Sequence, residues 1–86
     1  MDNIKELSIV IEKLKNHREI YKFLNEILTK SELIVLSKRW RILKMLNEGM
    51  TQREIAKELN VSLCKVTRGS KILKDKNALI KKYLKG

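Results

Sequence analysis

Apolar residues recur three and four positions apart through most of the chain. Ile4, Leu7, Val10, Ile11 and Leu14 form one set, Ile20, Phe23, Leu24, Ile27 and Leu28 a second, and Leu33, Leu36, Trp40, Leu43 and Leu46 a third. That period places each set on one face of a helix. No stretch alternates as a strand does and the sequence has no Pro, so the pattern predicts an all-α fold. Helix starts are marked by Asn3 with Glu6, Asn16 with Glu19, Thr29 with Glu32 and Thr51 with Glu54. Each pair has the capping-box spacing, in which the first side chain and the Glu three residues on satisfy each other's free amides. The first helix is expected to run to about Lys15 and the second to near Leu28. The third, the longest, stops at Gly49, where a left-handed residue ends a helix cheaply. A fourth helix follows Thr51, Asn60 interrupts it, and Ser62 starts a fifth that carries Val66, Gly69 and Leu73. The tail from Asn77 to Leu84 is expected to form one more short amphipathic helix, packed back on the core.

The third helix also carries Ile34, Val35 and Ile42, which makes its apolar surface wider than one core stripe. The first two helices are similarly apolar for their length. A chain of 86 residues buries only about 60% of the surface its unfolded form exposes. Its single Cys cannot form an internal bridge, and one His with one Cys is too few for a structural zinc site. Association with a second copy around a two-fold axis is the remaining source of stability. The expected organisation is therefore dimerisation helices over 1–48, a helix-turn-helix unit over 49–74 and the C-terminal helix over 75–86. Trp40 and Phe23 are expected in the core.

Charge narrows the function. The chain has 20 Lys and Arg against 10 Asp and Glu, and the excess is polarised. Residues 1–36 are neutral, whereas residues 37–86 hold fourteen basic side chains against Glu48, Glu54, Glu58 and Asp75. A polyanion partner fits such a distribution, because each phosphate neutralised releases condensed counterions. Enzyme chemistry lacks support: His17 stands without a nucleophile or carboxylate motif, and no glycine-rich phosphate loop occurs. No metal site is expected. No apolar run approaches the roughly 20 residues of a membrane span, and the N-terminus mixes charges into its apolar positions unlike a signal peptide. The expectation is a soluble, cytoplasmic binder.

The segment from Met50 to Lys74 has the requirements of a helix-turn-helix: a small residue where two helices meet (Ala56), a turn residue that tolerates a left-handed backbone (Asn60), and apolar anchors (Ile55, Leu59, Val61, Val66). In such a unit the second helix enters the major groove of double-stranded DNA. Gln52 and Arg53 then lie at the first helix's N-terminus, where amide dipoles favour a phosphate. Leu63, Cys64 and Thr67 fall on the leading face of the second helix, positioned for a thymine methyl or a base edge. Lys57, Lys65, Lys71 and Lys74 are candidates for phosphate contacts. A helix pair that docks an acidic protein through its lysines is the reading from another class.

Gly49-Met50-Thr51-Gln52-Arg53-Glu54-Ile55 and Val66-Thr67-Arg68-Gly69-Ser70, with Leu28-Thr29, Arg39-Trp40-Arg41-Ile42 and Leu73-Lys74, resemble the tryptophan repressor family of helix-turn-helix regulators. The resemblance implies a six-helix, intertwined homodimer that binds a palindromic operator when a corepressor, L-tryptophan or a related amino acid, sits beside the reading heads. By position it assigns Arg39 and Arg68 to ligand binding, with Leu28, Thr29, Ile42 and Gly69 completing the pocket. Guanidinium groups suit the task, since they stack on aromatic rings and fork onto carboxylates. The chain departs from the family pattern at Lys65, where a small hydroxyl residue is usual, at Ile72, in place of a Ser, and by one residue deleted after Gly49. Those departures keep open a relative that binds DNA without any corepressor.

Overall fold

The computed structural model describes residues 2–84, and every regular element among them is helical. The chain divides into two compact units, Met1–Leu33 and Ile34–Gly86.

In the first unit, α1 (Asn3–Glu12) starts one residue earlier than the Asn3 and Glu6 pair predicts. Asp2 is its N-cap, and one carboxylate oxygen accepts from the amides of Ile4 at 3.0 Å and Lys5 at 3.1 Å. A carboxylate there satisfies two orphan donors and places negative charge at the positive end of the helix. The helix also ends sooner than Lys15. The amides of Lys13 and Leu14 turn back to the carbonyls of Val10 and Ile11 at 3.0 and 3.1 Å, a tightened last turn. α2 (His17–Ile27) is capped by Asn16, whose side chain accepts from the Glu19 amide at 3.0 Å. Glu19 reaches back past the cap to accept from the amide of Lys15 at 3.0 Å. No residue of α1 or α2 is buried, and Phe23 is only half-buried rather than core.

α3 (Lys30–Asn47) begins in this unit with the expected box: Glu32 accepts from the Thr29 amide at 2.8 Å and Thr29 from the Glu32 amide at 3.1 Å. Most of α3 belongs to the second unit. Gly49 follows it with φ +92°, the left-handed stop that the sequence predicts. Next come α4 (Gln52–Leu59), α5 (Leu63–Lys74) and a 3-10 turn, Leu79–Tyr83. Ile42, Met45, Ile55 and Val66 make the core of this unit, with Leu46, Met50, Ala56, Leu59 and Val61 packed around them. Gly69 of α5 is buried against α3, where an added Cβ would stand 2.9 Å from Ile42 Cγ2. Only hydrogen at that position allows so close an approach.

Two expectations need correction here. Trp40 is 40% exposed and Leu36 43%, because they occupy the part of the α3 surface that points away from the core made by Ile42 and Met45. The C-terminal helix is a 3-10 turn, not an α-helix, as Leu79 and Tyr83 remain exposed and one turn or two cannot repay helix nucleation. It is tied to α3 by the Asn47 side-chain amide donating to the Leu84 carbonyl at 3.2 Å. The last two residues of the expected helix, 85 and 86, lie outside the described residues.

Candidate functional site

The α4 and α5 pair is fixed at both ends and through its middle. Thr51 Oγ1 accepts from the Glu54 amide at 3.2 Å while a Glu54 carboxylate oxygen accepts from the Thr51 amide at 3.1 Å. The Thr51 backbone N–H, and after it the Thr51 side chain, hold the Glu54 carboxyl below the ordinary glutamate range. α4 stops because Asn60 adopts φ 53° and ψ 53°, so that the Val61 amide can donate to the Ala56 carbonyl at 3.0 Å. This left-handed ending satisfies a carbonyl that the helix leaves free. Ser62 then caps α5, accepting from the Lys65 amide at 3.4 Å. Ile55 and Val66, both fully buried, set the helices against each other.

α5 therefore presents a supported outer face. Leu63, Cys64, Lys71 and Lys74 are exposed on it, with Leu63 at 47% despite its apolar side chain. Arg53 and Lys57 are exposed on α4. Gln52 and Thr67 are half-buried and meet each other: the Thr67 hydroxyl donates to Gln52 Oε1 at 2.9 Å and stands 3.0 Å from the Leu63 carbonyl. Its single hydrogen is thus held within the protein, which leaves oxygen lone pairs and the Gln52 amide nitrogen for outside partners. Helical spacing gives no sign of this bond, since it joins residues fifteen apart in two helices.

On another side of α5 lies a cavity of about 430 Å³ between α3, the turn after α4, and α5. It brings together Arg39, Ile42, Arg68 and Gly69, four of the six residues that the resemblance assigns to a ligand. The other two lie in the first unit, Leu28 as the C-cap of α2 and Thr29 capping α3 through the Glu32 bond. Lys38 and Lys65 also line the cavity, as do Val61, Ile72 and Ile80. The sequence reading missed Lys38. The available signal was its position four residues after Ile34 and four before Ile42, on the same face of α3.

Among the described residues no helix is long and apolar enough to cross a membrane. Among the described residues no group of three His, Cys, Asp or Glu could hold a metal ion.

The family described as Trp repressor protein matches residues 2–86. A Trp operon repressor homolog of Xylella fastidiosa strain M23 is 47% identical over 60 residues, covering 69% of this chain and 63% of the relative. The chain thus spans less than two thirds of that relative's length. A Trp operon repressor homolog of Chlamydia caviae is 36% identical over 74 residues, covering 85% of this chain and 73% of the relative. One of Chlamydia trachomatis serovar D is 40% identical over 68 residues, with 73% and 72% covered. No solved structure matches significantly. The family match takes in both capped helices, α4 and α5, and the arginine-lined cavity beside them, and on that ground the chain belongs to the Trp repressor family, whose members are regulators and not enzymes.

Proposed function

We propose that this protein is a homodimeric, sequence-specific transcriptional repressor that reads a palindromic operator with α5 and is gated by a small ligand in the cavity. The observation that carries this reading is the outer face of α5. Leu63 at its start is 47% exposed while Val66 beneath it is fully buried, so the helix is firmly seated and presents a half-uncovered apolar tip. Leu63, Cys64 and Thr67 would meet base edges. Gln52, Arg53, Lys57, Lys71 and Lys74 would hold phosphates, which position the helix without reading sequence.

The dimer is proposed from the exposed apolar residues, in which Ile4, Ile9 and Ile27 of the first unit and Ile34, Val35 and Trp40 of α3 stand at 40% exposure or more. Burying a side chain of that size contributes about 1.5–3 kcal/mol, and a small domain needs it. An intertwined six-helix dimer, with residues 1–48 making the interface, would cover these faces. Arg39 and Arg68 would hold the ligand, for which the family suggests tryptophan as corepressor. Leu28 and Thr29 enter this proposal from the resemblance alone.

Selection of bound sequences from a random DNA pool, with and without tryptophan, tests the reading. The expected result is enrichment of an inverted repeat, lost in Arg53→Ala and in Thr67→Ala, with affinity that falls steeply with salt. No enrichment over bulk DNA under either condition refutes it.

A further inference from the structure

We infer that Thr67 meets the operator only as a hydrogen-bond acceptor, so that each half-site must offer it the exocyclic amine of an adenine or a cytosine. This deepens the proposed function and rests on its reading of α5 as the helix that enters the major groove. The surroundings of the Thr67 hydroxyl carry it. A hydroxyl has one hydrogen and two lone pairs. Thr67 Oγ1 stands 2.9 Å from Gln52 Oε1 and 3.0 Å from the Leu63 carbonyl oxygen. Both neighbours are acceptors, so the hydrogen stays inside the protein whichever of them takes it. Turning it outward would leave the half-buried Gln52 oxygen without its donor, and the bond gained outside would only replace the one lost.

DNA has few groups that can donate to such an oxygen. Phosphate oxygens accept and carry no hydrogen, so Thr67 cannot hold the backbone. In the major groove the donors are the N6 amine of adenine and the N4 amine of cytosine, whereas guanine N7 and O6 and thymine O4 all accept. A guanine or thymine edge at this place would set two acceptors face to face. Gln52 has the opposite polarity. With Oε1 turned to Thr67, its amide nitrogen is the end left for an outside partner, and two N–H donors suit a phosphate, which carries no sequence information. The hydrogen bond between the two helices therefore divides the work, with the positioning contact on α4 and the reading contact on α5.

The test removes one exocyclic amine at a time from the operator selected by the full wild-type chain, with purine replacing adenine and 2-pyrimidinone replacing cytosine. Binding is read by fluorescence anisotropy. At one position of each half-site, wild type should lose about 3- to 10-fold in affinity, the worth of one neutral hydrogen bond. Thr67→Val keeps the β-branch but has no hydroxyl, and it should show no such loss; Thr67→Ser should lose as wild type does. The weakened base pair affects all three proteins alike, so the difference between proteins isolates the contact. If every deletion costs wild type and Thr67→Val the same, as it would were the hydroxyl donating to a phosphate, the acceptor assignment is overturned and the operator reading stands. If wild type enriches no operator at all, both are overturned.

Discussion

Gly69→Ala tests how closely α5 is seated against α3. An added Cβ would stand 2.9 Å from Ile42 Cγ2, 3.3 Å from Leu46 Cδ1 and 3.6 Å from Leu43 Cδ2. Ile42 is 3% exposed, and a β-branched side chain in a helix has one strongly preferred rotamer, so its methyl cannot swing aside. α5 must back away from α3 or Ile42 must strain. Against this stands the helix propensity of Ala, about 1 kcal/mol better than Gly in a helix interior. Overpacking a filled core costs about 1–3 kcal/mol, so the two leave a net loss of about 1 kcal/mol. Ile42→Leu removes the offending γ-methyl at conserved volume and should by itself cost less than about 1.5 kcal/mol. Combined with Gly69→Ala it should recover about 1 kcal/mol, a coupling that a double-mutant cycle measures directly. Urea unfolding followed by circular dichroism, at one protein concentration because the proposed dimerisation would add to apparent stability, gives all four values. If Gly69→Ala stabilises by about 1 kcal/mol and shows no coupling to Ile42→Leu, the close approach is absent and the argument fails.

Two further outcomes concern the ends of α4. Because the Thr51 backbone N–H and then its side chain keep the Glu54 pKa below its ordinary value, the unfolded chain binds the proton more readily. The stabilisation is therefore complete above the unfolded glutamate pKa, about 4.3, and is lost as pH falls through the folded value. Glu54→Gln keeps a capping partner without the titration. Wild type should lose stability relative to that variant between about pH 5 and pH 3, and parallel curves would refute the assignment. At the other end, Asn60 at φ 53° is expected to cost about 1 kcal/mol when replaced by Ala and little or nothing when replaced by Gly, read as shifts of the thermal midpoint. Equal midpoints for the two variants would count against a strained turn.

The caps at Asn16, Thr29, Thr51 and Ser62 and the turns at Gly49 and Asn60 were legible because each depends on one or two neighbouring residues. Local chemistry also explains where the reading slipped. Asp2 and Asn3 are adjacent, both able to cap, and the charged one at Asp2 prevails. The end of α1 has neither Gly nor Pro to mark it. Trp40 shows a deeper limit: periodicity tells which face of a helix a residue occupies and nothing about what lies opposite, so an apolar stripe covered by the core and one left exposed look alike. The cavity was legible only in part for a similar reason. Arg39 and Arg68 came from a family pattern, whereas the meeting of Lys38 with Lys65 depends on how closely Gly69 lets α5 approach α3.

That approach also bears on gating. A helix advances about 100° per residue, so Lys65, Arg68, Gly69 and Ile72 share one side of α5 and all line the cavity. The side carrying Leu63, Cys64, Thr67, Lys71 and Lys74 lies about 140° further round. In the proposed reading, ligand and operator hold opposite sides of a single rod that has few ways to move except against α3. A ligand that raises operator affinity by some factor must then find its own affinity raised by that factor when operator is bound, and such couplings typically amount to about 5–150-fold. Operator titrations at zero and saturating L-tryptophan, and ligand titrations with and without operator, give the two factors independently. Operator affinity that does not change at saturating ligand would mean that the two sides act separately, and the cavity would then not be a gate.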